Sequence, residues 1–516
     1  MSSFPPASPP PFPPFNAPPD PFGPAPRTRI ALGGLGAAAA WVVILVITLG
    51  LVITVNLPKT EIEGGRDVLG LRMMQMQAQY LLAIAPSEPA SRASFLERRE
   101  IEQINTGSIA QRLRFAVVAG DLGGPAAALG VLDELEQRVN DHNAEAASNP
   151  RLTRVEWTAD EAAALRLLRT LYDARTGGAP GNDVLSADDI ALLERELEWF
   201  ARLALNPPGG DEAARKAVMA PATRLLVIMV TMVIAGLCVG GLGLIGLIVL
   251  FILAAMGTVR MGVAPSRAPA GVYAETFAFW LLLFFGLQVV IETAPVPPGS
   301  ELFAGAVAFF ISLLALAWPC IRGVSWRDAR RDIGLTLGRG GVLEPAFGVA
   351  AYAMMLPFLA VGVLVTLMLV FIAGAVSGAV PDTGLGPFSP SGGPAHPLLG
   401  AAGTQWWTII QMYLVASVAA PVVEEIMFRG VLYRNLRTGL GALGPVMAAV
   451  VGTCINALIF AAIHPQGWVA IPALGGIAVG MTVAREWRDS LVAPILVHAI
   501  SNGVVTTIML VVLAGG

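Results

Sequence analysis

A chain of 516 residues with 55% hydrophobic side chains, 14% charged ones and a mean hydropathy of +0.67 falls outside the range of soluble globular proteins. Several apolar runs exceed the roughly 18 to 20 residues needed to span a bilayer, so the composition predicts an all-α, polytopic membrane helix bundle of about nine transmembrane helices with an inserted soluble helical domain. The net charge of −4 selects no partner, and the three cysteines, Cys238, Cys320 and Cys454, lie in or beside apolar segments, which argues against a disulfide framework or a cysteine metal site.

Residues 1–26 contain 12 prolines. Such a stretch cannot bury a core and lacks backbone donors, so a disordered proline-rich tail is expected. After Arg27 and Arg29 comes the apolar run 30–57, too long for a signal-peptide core and without a small-residue cleavage site, which predicts a retained signal-anchor helix. Residues 58–223 hold 25 of the 37 acidic and 18 of the 33 basic side chains. Apolar positions recur there with helical spacing between breaks at Gly123-Gly124-Pro125, Asn149-Pro150 and 177–181, predicting an extramembrane domain of five or six helices. Ser186 and Asp189 have the spacing of an N-terminal capping pair for a last long helix running through Trp199 and Phe200. His142, in D-H-N, is expected to be a solvated histidine in a polar loop.

From Leu225 to the end, 225–516, the chain reads as a membrane-embedded domain with eight further helices, near 225–256, 272–294, 302–321, 345–377, 405–438, 446–464, 468–484 and 490–514. Arginines gather in alternate connections: Arg260 and Arg267; Arg322, Arg327, Arg330, Arg331 and Arg339; Arg434 and Arg437; Arg485 and Arg488. The stretches 295–301 and 378–404 have no lysine or arginine. The positive-inside rule then puts the arginine loops in the cytoplasm, and the 58–223 domain and the C-terminus on the other side.

The candidate chemistry lies in P-V-V-E-E-I-M-F-R, 421–429, where two carboxylates and a guanidinium interrupt an apolar segment. Charges within a membrane segment are rarely idle. On a helix, Glu425 and Arg429 are four residues apart and share a face, whereas Glu424 points about 100° away and is left for another partner. Two of the four histidines follow: His464 closes F-A-A-I-H and His498 opens H-A-I-S-N. Counting rise per residue from the connecting turns brings Glu424, His464, His498 and Asn502 to a similar depth.

Glu424-Glu425-Ile-Met-Phe-Arg429, Phe460-Ala-Ala-Ile-His464 and His498-Ala-Ile-Ser-Asn502 resemble the E-E-x-x-x-R, F-x-x-x-H and H-x-x-x-N signatures of the CPBP family of intramembrane proteases. That family includes the type II CAAX prenyl endopeptidases and bacterial bacteriocin-processing and immunity-type relatives. The motif core is 400–516; the tail and the 58–223 domain have no counterpart in the pattern. The resemblance implies an intramembrane endopeptidase in which Glu424 and His464 activate a water, with Glu425, Arg429 and Phe460 in support. His498 and Asn502, on one helix face, have the hydrogen-bonding groups to stabilise an oxyanion.

A divalent metal such as zinc, held by Glu424, His464 and His498, is an alternative use of the same residues. A further alternative is a non-proteolytic scaffold, immunity-type protein or transporter, with Glu275, Glu292, Gln411 and Asn456 lining a polar path. No H-E-x-x-H, G-x-G-D or G-x-S-x-G pattern points to another protease class. The expected partners are the lipid bilayer and a membrane-associated peptide or protein substrate, not nucleic acid. The few lysines and Gly/Ala-rich helices suggest a bacterial cytoplasmic (inner) membrane, hence a leader peptide or membrane protein as substrate in preference to a prenylated one.

Overall fold

The computed structural model describes residues 34–56, 68–97, 101, 104–105, 107–148, 154–179, 182–266, 268–377 and 405–514. The tail expected over 1–26 lies outside the described residues. Among the described residues the chain is helical, with no strand, and nine helices are long and apolar enough to cross a membrane. The protein is therefore an integral, multi-pass membrane protein of the all-α class.

The first span is α1 (Leu35–Asn56). Among the described residues seven helices follow where five or six are expected: α2 (Val68–Ile84), α3 (Pro89–Leu96), α4 (Ile109–Gly123), α5 (Pro125–Ser148), α6 (Ala159–Thr176), α7 (Ala187–Leu197) and α8 (Trp199–Leu205). Ser108, Thr158 and Ser186 each close a reciprocal capping box, which satisfies backbone donors that would otherwise be orphaned at the helix starts. At the last of these, the Ser186 hydroxyl and N–H hold the Asp189 carboxyl below its ordinary range. The long helix expected after Ser186 is interrupted at Glu198, whose φ of 53° is unusual for a residue with a Cβ. Turning there carries Trp199 and Phe200 into the core beside Leu132, Leu168 and Leu171 and lets the Trp199 indole donate to the Val218 carbonyl at 2.8 Å. His142 lies inside α5, not in a loop. The helix runs on to Ser148, and the Asn143 amide both donates to and accepts from the Val155 backbone, at 2.9 and 2.8 Å.

The boundary expected near residue 224 is not a break in the chain. A single helix, α9 (Glu212–Ala255), runs for 44 residues through it, about 66 Å at 1.5 Å per residue, twice the ~30 Å of hydrocarbon it must cross. Its first turns belong to the domain: Asp121 takes Arg92 of α3 and Arg215 of α9, each at 2.5 Å.

The remaining helices are α10 (Val272–Thr293), α11 (Glu301–Ile321), the short α12 (Trp326–Ile333), α13 (Glu344–Ser377), α14 (Trp406–Gly439), α15 (Pro445–Ala462), α16 (Ile471–Arg488) and α17 (Val492–Ala514). In lipid, helices associate through close packing of small residues, not through expulsion of water. α13 shows this on two sides. Gly243 of α9 lies against the Ala353 carbonyl, and Gly476 of α16 against the Phe358 carbonyl, with no room at either for a Cβ. Ala40 and Ile44 of α1 join Phe277, Trp280, Phe428 and Phe460 in one core.

The arginine-bearing connections meet on one face. Arg434 and Arg485 both donate to the Asp332 carbonyl, at 3.0 and 3.3 Å, while Arg339 reaches Trp487 O and Gly262 O at 2.7 Å each. Arg488 pairs with Glu344 at 2.7 Å and Arg437 with Glu486 at 2.9 Å. Several of the charges that the positive-inside rule counts thus also satisfy carbonyls in the last turns of helices and in a loop, where no helical partner follows. A reporter fused at residue 150 is expected to read as non-cytoplasmic; a cytoplasmic signal would invert the whole orientation.

Candidate active site

The helix that carries Glu424 and Glu425 is not uniformly α-helical. It is α-helical to Tyr413, π-helical over Leu414–Ala419, α-helical over Ala420–Glu425, π-helical over Ile426–Leu432 and α-helical again to Gly439. The two carboxylates therefore sit on a short α segment between two widened turns, a distortion often found at functional sites. The first π segment ends where Pro421 removes a backbone donor. In the second, Gly430 lies against Ile333, and a Cβ there would be 3.0 Å from its carbonyl oxygen. Asn456 of α15 donates to the Phe428 carbonyl of this segment at 2.9 Å.

Glu425 and Arg429 form the expected pair, Nη1 to Oε1 at 2.8 Å, and both are 0% exposed. The guanidinium also donates to the Ala478 carbonyl of α16 at 3.3 Å and lies 4.4 Å from the centre of the Phe460 ring, a cation–π arrangement. His498 brings a contact the sequence reading did not anticipate: its Nδ1 lies 2.8 Å from the same Glu425 oxygen. A carboxylate oxygen only accepts here, so Nδ1 carries the proton and Nε2 is turned outward. Glu425 thus holds Arg429 and orients His498 together.

His464 is fixed in the same way by a different acceptor. Its Nδ1 is 2.6 Å from the Phe460 carbonyl, one turn back, and its ring packs 4.4 Å from the Phe460 ring, which is 5.9 Å from His498. Pro465 follows and stops the helix. Both outward Nε2 atoms face Glu424: each lies 3.9 Å from its Oε2, an oxygen that accepts no hydrogen bond from the protein. Glu424 and His464 keep side-chain exposures of 16% and 20%, against 6% for His498. The accessible side chains and the sealed ones are therefore adjacent but distinct. Asn502, one turn beyond His498, donates its amide to the Ala416 carbonyl at 2.8 Å.

Two imidazole nitrogens and a carboxylate oxygen are donors that zinc accepts. Their 3.9 Å separations are wider than the roughly 3.3 to 3.5 Å between ligands sharing one zinc at 2.0–2.1 Å in a tetrahedron. They are also too long for direct hydrogen bonds. Among the described residues, no group of three or more His, Cys, Asp or Glu is placed to hold a metal ion. Of the other polar residues in the apolar helices, Glu275 accepts from Trp318 at 2.9 Å and Gln411 bonds Phe303 N and Gly299 O at 3.0 and 2.8 Å. With Asn456, each of these has a local partner.

A glutamate and two histidines thus converge inside a multi-pass helical bundle. Residues 405–504 match the family described as type II CAAX prenyl endopeptidase, Rce1-like, and all three motifs lie within that segment. Over 94 residues the chain is 31% identical to the membrane-embedded CAAX protease MroQ of Staphylococcus aureus (strain USA300), covering 18% of this chain and 37% of that protein. The chain thus spans little more than a third of the length of that relative. No solved structure matches.

Proposed function

We propose that the chain is an intramembrane endopeptidase of the CAAX protease type, acting on a membrane-associated peptide or protein. The observation that carries this reading is the position of Glu424 Oε2, buried without a hydrogen-bond partner in the protein and 3.9 Å from two imidazole Nε2 atoms whose Nδ1 atoms are already engaged. A water held between Glu424 and His464 gives up a proton to Glu424 as its oxygen adds to the scissile carbonyl carbon. The C–N bond then breaks, and the proton passes from Glu424 to the departing nitrogen, leaving a carboxylic acid and an amine.

The tetrahedral oxygen needs donors. His498 supplies one from Nε2 when its ring carries both protons, with Glu425 as the counter-charge. A divalent metal on Glu424, His464 and His498 is the alternative arrangement, and a chelator titration would read it directly. The match to a relative named for CAAX proteolysis supports the protease class. The substrate we favour, a leader peptide or membrane protein in a bacterial cytoplasmic membrane, rests on composition.

The test is to co-express the protein with tagged single-pass membrane proteins and identify fragments by mass spectrometry. Fragments made by the unaltered chain are expected to vanish with His464→Ala. Identical fragment sets from the two, or none from the unaltered chain against any membrane substrate, would overturn the reading.

A further inference from the structure

Asn502 has a task that the E-E-x-x-x-R, F-x-x-x-H and H-x-x-x-N pattern does not spell out. In the π segment of α14 the Ala420 N–H donates to the Val415 carbonyl, five residues back. The next carbonyl in that register, Ala416, calls for the N–H of residue 421, and residue 421 is proline. The N–H of Ala420, which an α-helical register would offer to Ala416, is already committed to Val415. The Ala416 carbonyl therefore has no backbone donor in either register, at a point inside a membrane helix where an unmet carbonyl costs several kcal/mol. The Asn502 amide donates to that oxygen at 2.8 Å. An oxygen of this kind only accepts, so the amide nitrogen must face it.

We propose that Asn502 is a positioning residue: its amide replaces the hydrogen that Pro421 lacks and pins α17 to α14 at the turn where the helix passes from π to α. Glu424 lies three residues beyond Pro421, and His498 lies one turn before Asn502 on α17. The bond thus fixes the relative height and rotation of the two helices at the point that brings Glu424 Oε2 to 3.9 Å from His498 Nε2. Proline and asparagine act as a matched pair across two motifs: one opens the helix, and the other closes the gap.

This inference rests on the protease reading only where cleavage is the readout, and a double-mutant cycle tests it without that dependence. Asn502→Ala and Pro421→Ala are made singly and together in the full chain, and melting in detergent and cleavage rate are both measured. In the natural background, Asn502→Ala should lower the melting temperature by several degrees and the rate by at least about tenfold. With Pro421→Ala, residue 421 regains an N–H for the Ala416 carbonyl, so removing Asn502 should cost less than about a third as much on both measures. An asparagine that instead donated to the oxyanion would be missed equally in both backgrounds. Equal losses, or no change in melting with Asn502→Ala, would overturn the proposal. Absence of cleavage by the unaltered chain would remove the protease reading, while the coupling in melting temperature would still judge the Asn502–Pro421 pair.

Discussion

Glu424→Gln is expected to reduce cleavage by at least about 100-fold, the contribution general base catalysis typically makes, while the protein accumulates at its normal level. The amide has the size of the carboxylate and hydrogen-bonds with either face, and the oxygen it replaces accepts nothing from the protein. Packing is therefore kept and only the base is lost. Immunoblots of membranes and initial rates on an identified substrate read the two effects separately. Normal cleavage by this variant would end the assignment of Glu424 as base.

Its neighbour should fail differently. Glu425→Gln leaves Arg429, 0% exposed, without a counter-charge, a loss of roughly 3 to 5 kcal/mol for a fully buried pair. The expected result is less folded protein and a lower melting temperature in detergent. Replacing Glu425 and Arg429 together by apolar residues of similar volume should restore much of the protein level, because the stranded charge goes with its partner. Cleavage should stay low even so, since His498 loses the acceptor 2.8 Å from its Nδ1 and with it the force that turns Nε2 toward Glu424. If Glu425→Gln were stable and inactive while Glu424→Gln failed to accumulate, the two roles would be exchanged.

Much of the site was legible because helical spacing is local. Residues 425 and 429 had to share a face, and rise per residue brought Glu424, His464 and His498 near one depth. The bond between His498 and Glu425 was not legible, since it depends on how α17 is rotated about its own axis against α14. The first π segment was hidden for a related reason: Leu414–Ala419 contains neither glycine nor proline, and Pro421 lies just beyond it. Composition marked where the chain turns apolar near Leu225 but not that the helix runs through the change, because nothing between Glu212 and Leu225 stops a helix except Pro221, which α9 accommodates. At Glu198 local propensity favoured continuation, and the burial of Trp199 and Phe200 overrode it.

The unbroken α9 makes the bearing of the helical domain before it a matter of counting. Asp121 and the Trp199 indole grip the first turns of this helix, and Gly243 seats its lower half against α13, so azimuth and height are set by the number of residues between the two grips. One residue added there would swing the domain through about 100° and raise it by about 1.5 Å. Seven would return it almost to its first heading, about 10.5 Å further out. In a jointed tether the same insertions would only lengthen the leash; here the domain turns like a dial on a shaft.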